Sequence, residues 1–297
     1  MADADPVAHV HPSMRDLLAI DDRGRMDDWP GRVWVHTAQT RSLFTCLNDC
    51  VNAGESSKPS GVIIYGDPDT GKSHALARFR ADHPPKLDAE SGYLQTPVVS
   101  LVAADLPSRT IILKDILKQL GRPQVYNPPE EELRLAVEEL FVKCGVRVLI
   151  IDEIGDIARE HASNRAILLL RFLKSMVNRT GRPLVVAGAP SVLDLFARES
   201  GNASRARTEF RFDAYTTADA FGRLLIAFGG LVPLRHASDM RDERIGLHLA
   251  SASEGYIGRL VHYLVDVCRA AIENGDERIT IELLRKVVPR SVGRSGM

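Results

Sequence analysis

The feature that most constrains the fold of this chain is the segment Gly66-Asp67-Pro68-Asp69-Thr70-Gly71-Lys72-Ser73. It matches the phosphate-binding loop pattern G-x-x-x-x-G-K-[ST]. A short apolar run at residues 61–65 precedes it and is typical of a buried strand, and residues 74–80 follow as a predicted helix. A strand, a glycine loop and a helix in this order aim backbone N–H groups at an anion. The segment therefore predicts a nucleotide-binding α/β domain.

Each position of the loop has a physical role. Gly66 and Gly71 allow turns that a side chain would obstruct. Lys72 places a positive charge against the β- and γ-phosphates, and the hydroxyl of Ser73 is suited to ligate Mg²⁺. The two aspartate side chains of the loop are expected to face water, because an inward carboxylate would repel phosphate. We therefore predict ATP and Mg²⁺ as cofactors. The predicted nucleotide-binding residues of the loop are Gly66, Asp69, Thr70, Gly71, Lys72 and Ser73.

A second motif lies about 80 residues further along, where the apolar run at residues 146–151 ends in Asp152 and Glu153. Active sites of open α/β sheets lie at the carboxyl ends of the strands. Asp152 would belong to the Mg²⁺ shell, and Glu153 would orient and deprotonate an attacking water molecule. The strands that carry the two motifs should be neighbours, or nearly so, for both to reach one nucleotide.

The rest of the chain completes a predicted domain plan. Strands alternate with helices up to about residue 214, which implies a parallel, doubly wound sheet. From residue 216 onward the pattern changes to amphipathic helices alone. The predicted fold is thus an α/β P-loop NTPase with a small C-terminal helical lid domain. The predicted segments are a weakly ordered arm at 1–31, the α/β domain at 32–214, the lid at 215–290 and a tail at 291–297.

Charge and composition limit the classes of partner. The net charge is −1, so nucleic-acid binding would need a local basic patch or many subunits acting together. The chain has no apolar run long enough to span a membrane, and its first residues do not read as a secretory signal. The four cysteines form no C-x-x-C pair. We therefore expect no membrane partner, and a reducing cytoplasm is the simplest setting.

With both motifs placed, the chain resembles the AAA+ ATPases of transposition, the TniB family and its TnsC relatives. The resemblance covers residues 32–290. Its most discriminating part combines the two nucleotide motifs with the residues Gly145-Val146-Arg147, which lead into the strand that ends in Asp152, and with the predicted lid helix at residues 255–260. The matching segments are Val33-Trp34-Val35, Ile64-Tyr65-Gly66-Asp67, Gly71-Lys72-Ser73, Gly145 to Ile154, Pro183 to Gly188, and Gly255-Tyr256-Ile257-Gly258-Arg259-Leu260.

The resemblance implies an ATP-bound oligomer that winds along double-stranded DNA as a filament, without base-sequence preference. Such an assembly marks a target site and recruits a transposase and a targeting subunit of the TniQ type. Lys72 and Ser73 carry over as Walker A, and Asp152 and Glu153 as Walker B. Arg259 matches the lid arginine called sensor 2, which would touch the phosphates; a helix-surface ion pair is the alternative for it.

Further residues follow from the same resemblance. An arginine finger, which stabilises charge on the γ-phosphate of a neighbouring subunit, is expected within residues 201–207. Arg205 is favoured there, with Arg207 as the alternative. Arg109 and Lys114 are the DNA-binding candidates, because their neighbourhood lines the DNA-facing channel in relatives; a solvated helix face is the alternative.

Two positions depart from the family pattern. Ala189 stands where relatives usually carry a hydroxyl residue after the glycine that ends the predicted strand at residues 183–188, and Gly155 stands where many carry a larger polar residue. Both departures favour slow or partner-stimulated ATP hydrolysis.

Other functions remain open from the sequence. An ATPase of secretion or envelope machinery would share the loop and a similar lid helix, but no membrane or peptidoglycan module is evident. A third hypothesis is a signalling switch that binds ATP as a structural ligand and acts through protein contacts. Binding of DNA in the presence and absence of ATP distinguishes the first hypothesis from the others.

Overall fold

The computed structural model describes residues 7–53, 61–103, 108–154, 163–200 and 207–289. The predicted tail at 291–297 lies outside them. A 3-10 helix at Pro12–Ala19 precedes the first α-helix. The α-helices of the described residues are α1 (Asp22–Arg32), α2 (Ala38–Asn52), α3 (Lys72–Ala81), α4 (Arg109–Gln119), α5 (Glu130–Lys143), α6 (Ser163–Thr180), α7 (Val192–Ser200), α8 (Ala218–Gly229), α9 (Glu243–Ser253), α10 (Ile257–Glu273) and α11 (Ile281–Lys286). The strands are β1 (Gly61–Tyr65), β2 (Lys86–Leu87), β3 (Leu94–Gln95), β4 (Val98–Val102), β5 (Val148–Asp152), β6 (Leu184–Gly188) and β7 (Arg207–Arg211).

The chain divides into two units, and the α/β unit comprises residues 38–213. Its main sheet has five strands in the order β4-β5-β6-β1-β7, and every pairing is parallel. Strand β6 therefore lies between β1, which leads into the phosphate loop, and β5, which ends at Asp152. The two motif strands are separated by one strand, as expected for motifs that serve one ligand. The predicted α/β class is confirmed.

The core of this unit explains why its strands are continuous apolar runs. All five residues of β5 and of β6 are buried, because helices cover both faces of a doubly wound sheet. Helices α4 and α5 pack on each other and bury Ile112, Ile116, Val137 and Phe141. The central strands thus belong to one continuous apolar core.

The outer edge of the sheet at β4 is covered by a side chain. The Nε2 atom of Gln119, in α4, donates to the carbonyl oxygen of Ser100 at 2.9 Å. The Oε1 atom of Gln119 accepts from the N–H of Ser100 at 3.3 Å. One amide thus pairs both outward backbone groups of this residue, which would otherwise be available to another strand.

The helical unit comprises residues 1–37 together with residues 214–297. Its core is formed by apolar residues of α8 to α11 and also by Met14, Leu17, Met26 and Trp29 from the N-terminal helices, each at most 1% exposed. The expectation of a weakly ordered arm is therefore wrong for residues 7–31. This segment is mostly polar, but its few apolar side chains pack against the C-terminal helices, about 200 residues away in sequence.

Polar contacts fix α1 within the helical unit. The Trp29 Nε1 atom donates to the carbonyl oxygen of Leu231 at 2.6 Å. Arg25, which is fully buried, donates from Nη1 to Glu277 Oε2 at 2.8 Å and from Nη2 to Glu277 Oε1 at 3.3 Å. Glu277 also accepts from the N–H of Arg235 at 3.0 Å. The buried ion pair joins the two sequence-distant parts of the unit.

The two ends of the α/β unit are tied to each other. Gln39 Oε1 accepts from the N–H of Asp213 at 2.9 Å, and Gln39 Nε2 donates to the carbonyl oxygen of Asp213 at 3.1 Å. The first and last residues of the α/β unit therefore lie next to each other.

Among the helices of the described residues, none combines the length and hydropathy needed to cross a bilayer.

Candidate nucleotide-binding site

The phosphate loop takes a shape that its glycines require. A Cβ atom at Gly66 would lie 2.2 Å from the carbonyl oxygen of Phe212, so no side chain fits there. Gly71 adopts a left-handed conformation with φ of 95°, immediately before α3. Asp69 also has a positive φ, 63°, which is strained for a residue with a Cβ atom. Strain of this kind is common in ligand-binding loops.

Lys72 and Thr70 hold the loop in this shape. The Lys72 Nζ atom donates to the carbonyl oxygens of Gly66 at 2.8 Å and of Asp67 at 2.7 Å, and lies 3.2 Å from Thr70 Oγ1. The buried Thr70 hydroxyl donates to the carbonyl oxygen of Asp67 at 2.8 Å. The ammonium group is therefore fixed at the loop. Of the two aspartates expected to face water, Asp67 is exposed and Asp69 is half-buried.

Helix α3 begins at Lys72, directly after the loop. The first N–H groups of an α-helix have no acceptor within the helix, and the helix dipole adds partial positive charge there. Ser73, in this first turn, is exposed. The loop, the helix N-terminus and the lysine together offer the donors and the positive charge that a phosphate group would require.

The second motif ends β5 in a sharp turn. Asp152 is 7% exposed, and its Oδ1 atom accepts from the N–H of Glu153 at 2.9 Å. Glu153 has a φ of 57° and is exposed, although Asp152 and Ile154 on either side are buried. The N–H of Ile154 donates to the carbonyl oxygen of Ala187 in β6 at 3.2 Å. The left-handed backbone turns the Glu153 side chain out of the core at the carboxyl end of the sheet.

Ser73 and Asp152 line one cleft, which has a volume of about 520 Å³. A hydroxyl and a carboxylate are the oxygen donors that Mg²⁺ prefers. The described residues contain no group of three or more His, Cys, Asp or Glu side chains that could hold a metal. With Ser73 and Asp152 as its protein ligands, a Mg²⁺ ion would complete its shell with phosphate and water, as is usual for this ion.

The residue at the exit of strand β6 has no polar side chain. Ala189 follows β6 directly, between the two motifs, and its carbonyl oxygen accepts from the N–H of Val192 at 2.9 Å. A methyl group thus stands where the resemblance described above implies a hydroxyl. Gly155, the other departure, lies outside the described residues.

The two DNA-binding candidates are placed together but already have partners. Arg109 Nη1 lies 3.7 Å from Glu130 Oε1, and its guanidinium carbon lies 5.4 Å from the centre of the Phe172 ring. Lys114 Nζ donates to Asn127 Oδ1. The Arg109 contacts link α4 to the first residue of α5 and to α6, and the Lys114 contact links α4 to the loop just before α5. Arg109 is exposed and Lys114 is half-buried.

Arg259 lies in the helical unit, in the first turn of α10. Its Nη1 atom donates to Glu254 Oε2 at 2.6 Å, and its guanidinium carbon lies 4.3 Å from the centre of the Tyr256 ring. A surface ion pair, one of the two readings of this residue, is therefore formed. The finger candidate Arg205 lies outside the described residues, and Arg207 is the first residue of β7.

Sequence reasoning missed Arg80, which lines the same cleft as Ser73 and Asp152. A signal was available, because Arg80 follows Ser73 by seven residues and such positions share one face of a helix. What the sequence could not show is that this face of α3 borders the cleft.

The chain is similar to one protein family in sequence and to several solved structures in fold. A family model described as "Bacterial TniB protein" matches residues 25–213. No curated protein sequence matches the chain. The ORC2 protein of Aeropyrum pernix, solved in ADPNP-ADP complexes, aligns at 18% identity with a TM-score of 0.59 over 87% of this chain and 68% of that one.

Two further structures show the same fold. Cdc6p of Pyrobaculum aerophilum aligns at 17% identity with a TM-score of 0.58, over 86% of this chain and 69% of that chain. Drosophila ORC, solved bound to DNA, aligns at 15% identity with a TM-score of 0.56, over 96% and 66% of the two chains. At these identities the likeness supports the AAA+ type of α/β fold with a C-terminal helical region, and it does not extend to what those proteins bind.

Proposed function

We propose, from the premise that this chain belongs to the TniB family, that it is an ATP-dependent regulator of transposition that oligomerises on target DNA. It marks the target and recruits a transposase and a TniQ-type targeting subunit. One observation carries the proposal: Ser73 of the phosphate loop and Asp152 of the second motif line a single cleft at the ends of nearby parallel strands.

The nucleotide-binding role rests on the loop. Backbone N–H groups from Asp69 to Ser73 and the α3 dipole would receive the phosphates of ATP. Lys72 has three donors, and it would exchange one loop carbonyl for a phosphate oxygen at little cost, because its present bonds are to neutral acceptors. Ser73 and Asp152 would hold Mg²⁺, which when bound neutralises phosphate charge as a Lewis acid.

The hydrolytic role rests on Glu153. Its carboxylate is exposed at the end of β5, directly after the metal-binding candidate Asp152. In this position Glu153 would accept a proton from the water that attacks the γ-phosphate. Arg205, or Arg207 as the alternative, would approach the γ-phosphate from a neighbouring subunit, and Arg259 would contact the phosphates from the lid. Ala189 makes slow or partner-stimulated hydrolysis the expected behaviour.

The DNA-binding role rests on repetition of weak contacts. Exposed ion pairs such as Arg109–Glu130 contribute about 0–1 kcal/mol, so a DNA phosphate can displace the carboxylate. A single chain of net charge −1 would bind DNA feebly, whereas an assembly sets Arg109 and Lys114 of many subunits against successive phosphates. Phosphate contacts position a protein without reading bases, so binding would depend little on sequence. The protein would work in the cytoplasm with its target.

The nucleotide assignment is tested by two variants. Lys72→Ala should abolish tight ATP binding, measured with a fluorescent ATP analogue, because the phosphate charge loses its partner. Glu153→Gln should retain binding but stop phosphate release, because an amide cannot accept the proton. Phosphate release at the wild-type rate by the Glu153 variant would remove this residue from the mechanism.

The DNA assignment is tested by titrating duplex DNA against salt, with saturating ATP and without nucleotide. Affinity should require ATP and fall steeply with salt through counterion release. The double change Arg109→Ala with Lys114→Ala should weaken binding to all sequences and flatten the salt slope. The matched control is Arg147→Ala with Arg241→Ala, which removes two exposed cations elsewhere. Equal binding with and without ATP, or no binding in either state, would favour the signalling-switch hypothesis instead.

A further inference from the structure

The cleft that holds Ser73 and Asp152 extends well beyond them. One wall is a single stripe of α3 that runs from Ser73 through Ala77 to Arg80, and the other wall is the edge strand β4, with Ser100 and Val102. Seven residues of helix span about 10 Å. The cleft therefore runs from the proposed metal ligands at one end to a guanidinium group at the other.

The wall between these two ends is apolar and partly open. Val102 is 41% exposed, and the alanine stripe of α3 faces it. Arg80 is exposed, and no acidic side chain of the described residues lies within ion-pair distance of it. The nearest acidic residue in sequence, Asp82, pairs with Arg78 instead at 3.1 Å. The cleft thus presents a positive charge beside an apolar surface.

The opposite edge of the sheet carries the complementary charge. Strand β4 forms one edge of the sheet and β7 forms the other. Glu209, in the middle of β7, is exposed. Arg211, the next residue on the same face of the strand, pairs with Asp213 at 2.6 Å. Among the cations whose side chains the structure describes, a set that does not include Arg207, none lies within ion-pair distance of Glu209.

We propose that the cleft receives the β7 edge of a second copy of this chain, with Glu209 of the second copy paired to Arg80. This inference rests on the proposed oligomer and names the contact that builds it. Because the two surfaces lie on opposite edges of one sheet, the contact is head-to-tail and leaves each copy with a free cleft and a free edge. Such a contact propagates into a ring or a helix. Strand β7 begins at residue 207, the last residue of the segment 201–207 where the finger is predicted, so the contact would place the start of β7 near the nucleotide-binding cleft of the neighbour.

The test is a charge exchange measured by sedimentation with saturating ATP and duplex DNA. Arg80→Glu and Glu209→Arg should each raise the concentration needed for assembly by about tenfold or more, because like charges then face each other across a desolvated contact. The double variant should return to within about threefold of wild type. An equimolar mixture of the two single variants should also assemble, since alternating copies form only native or exchanged pairs.

Controls separate this inference from folding and from the proposed function. Arg147→Glu makes the same charge change at an exposed site outside the cleft and should assemble like wild type. Each variant should keep the wild-type thermal midpoint as a monomer, and Glu209→Arg, which lies outside the cleft, should also keep the wild-type ATP affinity. If the single variants assemble like wild type, or if neither the double variant nor the mixture recovers, the pairing of Arg80 with Glu209 is wrong. If wild type itself stays monomeric with ATP and DNA, the proposed oligomer fails as well.

Discussion

The helical unit should depend on the buried pair of Arg25 and Glu277. Glu277 is 5% exposed and accepts hydrogen bonds from both terminal nitrogens of Arg25 and from Arg235. Removing one partner of a buried ion pair leaves the other charge uncompensated, at a cost of about 3–5 kcal/mol. For Glu277→Gln we expect about 3 kcal/mol, the lower end, because Asp22 still contacts Arg25 and the amide oxygen still accepts a bond.

The assay can report on this unit alone. The sequence holds two tryptophans, Trp29 and Trp34, and both lie in the helical unit. Urea unfolding followed by tryptophan emission should show the midpoint of Glu277→Gln lowered by about 1–3 M, which is the loss of about 3 kcal/mol divided by the usual urea slopes of about 1–3 kcal/mol per M. The matched control is Glu273→Gln, an exposed carboxylate of the same unit, which should move the midpoint little.

A second variant distinguishes charge from packing. Arg25→Met combined with Glu277→Leu replaces the pair with apolar groups and should lose much less stability than Glu277→Gln, because no charge is left buried. The reasoning is refuted if Glu277→Gln unfolds at the wild-type midpoint, or if the double variant is the less stable of the two.

The same pair predicts a pH dependence with a definite sign. Burial raises the pKa of Glu277, but the hydrogen bonds and charges of Arg25 and Arg235 outweigh it and hold the pKa below its ordinary value of 4.5. A carboxyl group with a lowered folded-state pKa stabilises the protein above the unfolded-state pKa, and this stability is lost as pH falls through the folded-state pKa. The difference between wild type and Glu277→Gln should therefore be full near neutral pH and shrink below about pH 4.5.

Two further changes test single features of the α/β unit. Gly66→Ala places a Cβ atom 2.2 Å from the Phe212 carbonyl and should cost about 3 kcal/mol or more, seen as a lower thermal midpoint together with weaker ATP binding; an unchanged midpoint would contradict the close approach. Gln119→Leu leaves the outward N–H and C=O groups of Ser100 without the amide and should increase aggregation in light scattering, whereas Gln124→Leu, at a half-buried glutamine in the following loop, should not.

Much of the α/β unit was predictable because its signals are local. The phosphate loop is a contiguous pattern, and β5 and β6 are continuous apolar runs because both faces of the sheet are covered. The turn at Glu153 could not be predicted, since a positive φ at a non-glycine residue leaves no mark in the sequence. The cleft wall at Arg80 also needed the structure, because it depends on the placement of α3 against β4.

The N-terminal helices show where local reasoning fails. Residues 21–28 contain five charged residues other than Arg25, which is typical of a solvated segment. Arg25 is nevertheless fully buried, because its partner Glu277 lies 252 residues away. A helix that is mostly polar can still contribute a few apolar side chains and one paired charge to a core, and only the partner reveals it.

The division of the helical unit between the two ends of the chain sets an order on its folding during synthesis. The α/β unit is an insertion that leaves and re-enters at the Gln39–Asp213 tie, so it can fold as soon as its own residues have emerged. The first helices, with Met26 and Trp29, have no core to join until the ribosome has made residues 214–289. The apolar side chains of these first helices therefore stay without their partner core while the α/β unit is made, until residues 214–289 have followed.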